Sequence, residues 1–398
     1  MRIVQIEEFF HADAGYQVNI LAKYFVKEGH EVYVVVAEMD KMPDELTSFF
    51  GKDKIAESDR EYEEKYGVKI IRVPIKAYFS GRAIFDLSLF KIVDSLKPDV
   101  VFVHGNDTFT GMQYILKSRF LHYPIVSDSH MLEMASVNRF SRYFRKFYKF
   151  SITPIIKWQH IPIIRTQDDD YVERCLGIPL ANCPWISYGS DMMLFHPDEE
   201  VKNNFRKKYG ISKDAFVAVF AGKLIESKGA LLLAQAFKDS FNTDREVVLI
   251  AVGNTVGDYG KTVENTFNES KNTVLRFPTQ KYEELAKYYQ AADIAVFAKQ
   301  CSLSFYDVQA CGLPVISENN NINVDRCSHD NGLCFESDNV EDFRNKIQIL
   351  INLSKDEFAH MSKNSLDFVL SEYDYGKKAN EYLSVIEEKV DDWNRRKK

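Results

Sequence analysis

Two lysines, Lys223 and Lys228, carry the clearest chemistry in the sequence. The run Val217 to Ala221 is apolar and β-branched, ends in Gly222 and is followed at once by Lys223. Lys228-Gly229 then opens a stretch whose Leu231, Leu232, Ala234 and Phe237 repeat with helical spacing. A strand, a turn and a helix are predicted, with two ammonium groups at the strand's carboxyl end. Ligands of open α/β sheets bind outside that end. Two lysines there suit a doubly anionic diphosphate, which would also gain from a nearby helix N-terminus. The plain alternative is a pair of solvated turn residues.

Composition limits the partners. The chain has 398 residues, 45% hydrophobic and 27% charged, which fits a soluble globular protein of two domains. A net charge of −7 argues against general nucleic-acid binding. Cys175, Cys183, Cys301, Cys311, Cys327 and Cys334 show no C-x-x-C spacing and read as small hydrophobes in a reducing compartment. The start, Met1 to Glu8, reads as a strand rather than a signal peptide. No apolar run approaches the roughly 20 residues of a spanning helix. A cytoplasmic protein is expected, at the inner face of the cell membrane if it meets lipid.

The elements that position the lysines alternate. Strands are expected at Arg2–Ile6, Glu31–Ala37, Lys69–Val73, Asp99–His104, Pro124–Ser127, Ile161–Arg165 and Cys183–Ser187. Helices are expected at Gln17–Lys27, Ala83–Leu96 and Thr108–Ser118, with a charged surface excursion over 40–66. After a turn-rich passage near Tyr188 to Pro197, the pattern resumes. Strands there are Phe216–Ala221, Glu246–Val252, Thr273–Phe277, Asp293–Phe297 and Leu313–Ser317. Helices include Gly229–Asp239 and Tyr282–Ala291, and the last runs from Tyr375. Such alternation implies parallel βαβ units.

One segment departs from the rest. Met134 to Gln167 holds Arg139, Arg142, Arg145, Lys146, Lys149, Lys157 and Arg165 and no acid, leaving −14 for the remainder. Phe140, Tyr143, Phe144, Phe147 and Phe150 interleave with them. On a helix this makes a cationic band beside an aromatic one, suited to an anionic membrane; a basic helix with its aromatics packed inward is the other reading. Asp168 and Asp170 imitate a metal-binding D-x-D, but helix capping ahead of Tyr171 explains them better.

The chain resembles the family 4 glycosyltransferases. Gly15 through Leu21-Ala22 to Gly29-His30-Glu31-Val32 looks like the family's glycine loop, first helix and following turn. Ser187 to Asp191 with Phe195-His196-Pro197 is similar to its interdomain segment. Gly222-Lys223-Leu224 with Lys228-Gly229 resembles Gly-Arg-Leu…Lys-Gly, with lysine in place of arginine. Asp307 to Val315 resembles Glu-Ala-Met-Ala-x-Gly-x-Pro-Val, and Gly332-Leu333 a later turn.

The resemblance implies an α/β fold of GT-B architecture, two Rossmann-like parallel-sheet domains facing a central cleft. An acceptor domain of 1–188, with the helix 375–398 packed back on it, precedes a nucleotide-sugar domain of 189–374. It implies a retaining, metal-independent hexosyltransferase with no cofactor. A nucleoside-diphosphate sugar, UDP favoured, would be the donor, and a carbohydrate or lipid-linked hydroxyl the acceptor. Lys223 and Lys228 would hold the diphosphate, Asp307 the ribose hydroxyls, and His130 would lie near the sugar. Gly15 and Gly222 would give the backbone close approach, and amides at Ser302, Leu303, Ser304 and Phe305 could face phosphate. Ser304-x-x-Asp307 also reads as a capping box. The family's first glutamate is missing: eight residues before Asp307 stands Lys299. Lys299 and Gln300 would contact the sugar instead. A non-catalytic accessory subunit and a nucleotide-sugar epimerase remain open.

Overall fold

The computed structural model describes residues 1–39, 41–42, 54–79, 82–130, 140–299 and 304–397. Two compact units result, one of Met1–Tyr188 with Tyr375–Lys398, the other Gly189–Asp374.

In unit 1 the strands are β1 (Arg2–Glu7), β2 (Glu31–Ala37), β3 (Lys69–Val73), β4 (Ile75–Phe79), β5 (Arg82–Phe85), β6 (Val100–Val103), β7 (Ile125–Ser129) and β8 (Ile163–Arg165). Six of them form a parallel sheet in the order β3-β2-β1-β6-β7-β8. The central strands are apolar on both faces because helices cover both; Val34, Val35, Val36, Val100 and Phe102 are fully buried. Each such side chain contributes about 1.5–3 kcal/mol of burial. The helix Gln17–Lys27 packs against the last helix, Tyr375–Lys397, and Gln17 donates to the buried Tyr382 hydroxyl.

Two local expectations fail here. Arg82–Phe85 is a strand paired antiparallel with β4, and the helix begins only at Ser88. Cys183–Ser187 forms a single bridge, Arg165 with Trp185. Pro184 within it has no N–H to extend a ladder. The excursion over 40–66 contains a helix, Ile55–Tyr66.

Unit 2 repeats the plan with β9 (Phe216–Ala221), β10 (Val247–Val252), β11 (Thr273–Phe277), β12 (Ile294–Phe297), β13 (Val315–Glu318) and β14 (Gly332–Phe335). Their order is β11-β10-β9-β12-β13-β14, all parallel. Both sheets therefore reverse direction beside their first strand, at β1/β6 and at β9/β12. Crevices at such reversals are where doubly wound sheets bind ligands. Among the described residues no helix is long and apolar enough to cross a membrane.

Candidate functional site

In unit 2 the reversal is built from the ends of β9 and β12. Gly222 donates its N–H to Val252 and Leu224 its N–H to Asn254, so the chain after β9 stays laced to β10. Gly253 makes this possible: a Cβ there would stand 1.9 Å from the Gly222 carbonyl oxygen. A single 3-10 turn, Glu226–Lys228, leads to Gly229, which is left-handed at φ 69°; a Cβ added there would stand 3.0 Å from Ala298 Cβ and from Lys299 Cγ. Any side chain at Gly229 would be strained and crowded. The turn thus sets the exposed Lys223 and half-buried Lys228 just past the carboxyl end of β9.

The helix beyond Gly229 spans only Ala230–Ala236, and its Leu231 amide already donates to the Tyr259 hydroxyl. The lysines, rather than a strong helix end, supply the positive field here. The Lys299 ammonium pairs with Asp338 at 2.6 Å, and that contact, opposed by desolvation, raises its pKa. A sugar contact by Lys299 therefore requires it to exchange partners.

Asp307, 3% exposed, accepts from the Ser190 hydroxyl at 2.8 Å and from the Tyr282 hydroxyl at 3.3 Å. Ser190 is itself fixed, its N–H donating to Tyr373. Asp307 thus anchors the segment opening unit 2, a role its sequence position did not disclose. Ser304 starts the short helix Ser304–Ala310, beside the buried Tyr289. Ser302 and Leu303 lie outside the described residues.

In unit 1 the same edge carries a hydrogen-bonded chain. His104, just past β6, donates from Nδ1 to Asp128 Oδ2 at 2.8 Å, and its Nε2 lies 2.9 Å from the Gln5 amide oxygen. Gly105 N–H reaches Asp128 Oδ1 at 2.7 Å. His130 Nε2 lies 3.0 Å from that same oxygen, and its Nδ1 meets the Tyr188 hydroxyl. Burial opposes charge on His130, yet Asp128 and Tyr188 outweigh it and raise its pKa well above the ordinary value. Burial likewise opposes ionisation of Asp128, but the two imidazoles hold it well below the usual carboxylate range.

Among the described residues, His104, Asp128 and His130 form the one group of three or more His, Cys, Asp or Glu whose ligand atoms all lie within 4.8 Å of one another. Those atoms bond one another, so the arrangement reads as a proton-holding relay. Sequence reasoning named His130 and missed Asp128, His104 and Tyr188. The signal was Asp128 two residues before His130, the spacing that puts side chains on one face of a strand. Gly15 sits, half-buried, in the loop ahead of Gln17–Lys27.

The basic segment also belongs to unit 1. Phe140, Tyr143, Phe147 and Phe150 are 58%, 71%, 50% and 78% exposed, so inward packing is overturned for these four. Phe144 alone of the five packs against the core. Arg142, Lys146 and Lys149 are exposed, whereas Arg145 is half-buried with its guanidinium 5.7 Å over Tyr171. Arg145 therefore leaves the cationic band. Arg139 lies outside the described residues. Asp169, not Asp168 or Asp170, accepts from the Tyr171 amide, while Asp170 pairs with Arg174.

Two family models match: "Glycosyl transferases group 1" over residues 201–367 and "Glycosyltransferase Family 4" over residues 14–163. The chain is 22% identical over 324 residues to the UDP-Gal:alpha-D-GlcNAc-diphosphoundecaprenol alpha-1,3-galactosyltransferase of Escherichia coli, covering 75% of this chain and 79% of that one. It is 28% identical over 163 residues to D-inositol 3-phosphate glycosyltransferase 1 of Catenulispora acidiphila, covering 38% of each. Alignments with the first three curated relatives span 29%, 38% and 57% of their lengths. Among solved structures, a glycosyltransferase from Rickettsia africae shares the fold with a TM-score of 0.73 at 14% identity, covering 98% of both chains. Anabaena HepE, solved with UDP and glucose, does so at 0.68 and 14% identity, covering 98% of this chain and 100% of that one. With both sheets wound in one order and both halves matched, the chain belongs to the GT-B glycosyltransferases of the family 4 type.

Proposed function

We propose that this protein is a retaining glycosyltransferase that moves a hexosyl group from a nucleoside-diphosphate sugar, UDP favoured, to a hydroxyl of a carbohydrate or lipid-linked acceptor. The observation that supports the reading is the lysine turn: Lys223 and Lys228 stand in the chain that follows β9, the strand at which unit 2's sheet order reverses. Their ammonium groups neutralise the diphosphate as the bond from anomeric carbon to phosphate oxygen breaks. Fixed charge aimed at a developing anion is a large catalytic term. Lysine acts as a point charge where arginine would give a fork. With two such charges the reaction needs no metal.

The acceptor hydroxyl oxygen bonds to the anomeric carbon from the side the diphosphate leaves, and its proton passes to the departing phosphate oxygen. His130, held charged by Asp128, reaches the sugar by exchanging its Tyr188 hydroxyl partner for a sugar oxygen. Asp307 adds ribose recognition to its anchoring of Ser190. The exposed aromatics beside Arg142, Lys146 and Lys149 support work at an anionic membrane, as surface-polysaccharide or glycan assembly requires.

Incubation with UDP-hexoses tests the reading by NMR. Transfer to a hydroxyl with the anomeric configuration kept is expected. Inversion would remove the retaining mechanism, and conversion of donor without any acceptor would favour an epimerase. UDP binding without turnover would favour the accessory subunit.

A further inference from the structure

A second group of polar side chains in unit 1 is used by neither the lysine turn nor the histidine relay. Glu8 directly follows β1, and Asp107 lies in the loop after β6, so the two acids flank the sheet's reversal. Glu8 is 4% exposed; its Oε1 accepts from the Thr110 hydroxyl at 3.3 Å, while Oε2 is buried with no hydrogen-bond partner. The nearest cation is Arg82, whose Nη1 stands 4.0 Å from that oxygen on a side chain 46% exposed. Burial pushes the Glu8 carboxyl up to about 7, against the pull of Arg82. Asp107 is raised by burial too, again opposed first by Arg82. The Arg82 guanidinium is thus the cation that opposes burial at both the buried Glu8 and the half-buried Asp107.

A buried carboxyl oxygen that accepts no hydrogen bond, with its cation 4.0 Å away, lacks an internal explanation, since buried polar atoms are almost always hydrogen-bonded. We propose that Glu8, Asp107 and Arg82 form a subsite for the vicinal hydroxyls of a neutral sugar or cyclitol, the acceptor of the reaction proposed above, on which this assignment rests. A carboxyl near half-protonation both donates and accepts, which matches hydroxyls, themselves donors and acceptors. Two acids against one cation disfavour a phosphate or carboxylate at this point, so the acceptor presents its hydroxyl face here.

The test uses the full chain with saturation-transfer NMR, with and without UDP. Glucose, galactose, N-acetylglucosamine and myo-inositol serve as probes. Glu8→Met keeps the volume and removes the bonding oxygens; Asp107→Asn is the second variant. At least one probe should bind the wild type, and Glu8→Met should weaken it at least about tenfold. UDP affinity should stay unchanged, while loss of the Thr110 bond and removal of the unsatisfied Oε2 pull the Tm in opposite directions. A purely structural carboxyl would change the Tm and leave probe affinity unchanged. Equal probe affinity in both variants, or no probe binding to the wild type, overturns the subsite. Wild-type failure to bind UDP counts instead against the transferase reading, and the probe comparison still decides for or against Glu8.

Discussion

The Asp128 carboxylate holds His130 through a 3.0 Å contact between Oδ1 and Nε2, while its other oxygen is taken by His104. His130's folded pKa lies above its unfolded one, so its stabilising contribution is full below about pH 6.5 and fades as pH rises through the folded value. Asp128's pKa is depressed, so its contribution is full above about pH 4 and fades as pH falls through the folded value. Asp128→Asn should therefore cost about 3 kcal/mol between those limits, as breaking a buried pair does. The deficit should shrink as the buffer turns alkaline. Urea unfolding of both proteins across pH 5 to 9 measures it, and a constant deficit would show that His130 is not held charged.

Asp307 serves two partners, Ser190 and Tyr282, before any ligand is considered. Asp307→Ala should destabilise unit 2 by about 3 kcal/mol, since two hydrogen bonds to a charged group are lost. Ser190→Ala should cost less and leave UDP affinity intact. Asp307→Asn should lower UDP affinity about tenfold if the carboxylate also binds ribose. Calorimetric titration beside thermal unfolding separates the two roles; intact affinity in Asp307→Asn would confine Asp307 to anchoring.

The strand pattern was legible because buried parallel strands are runs of Val, Ile and Phe, as in Val100–Val103 and Val247–Val252. The hairpin of β4 and β5 was not. Arg82–Phe85 gains its strand identity only from Ile75–Phe79, a pairing that no local periodicity contains. The lysine turn was visible as Gly-Lys and Lys-Gly at the end of an apolar run. Asp128 stood two residues before His130 and was readable, but His104 and Tyr188 lie far from that pair in sequence and meet it only once the sheet is ordered. Lys299 was legible as a departure, but its pairing with Asp338 was not.

The cationic and aromatic faces of the segment after Phe140 predict separable effects on lipid. Replacing Arg142, Lys146 and Lys149 with glutamine should remove about 3 kcal/mol of attraction to anionic vesicles and little to neutral ones. Replacing Tyr143 and Phe150 with serine should weaken both, because these rings contribute apolar burial. Flotation with vesicles of each charge reads this out. Equal recovery of all three proteins would remove the membrane from the account.

Most directly at stake is the pyrophosphate grip of Lys223 and Lys228. Titrating UDP into the wild type and into Lys223→Ala/Lys228→Ala measures it, with heat of binding as the readout. Two lost charge-assisted contacts, each worth about 1.5–3 kcal/mol, predict at least a hundredfold weaker binding in the double variant at unchanged Tm. Equal affinity in the two proteins would contradict the account.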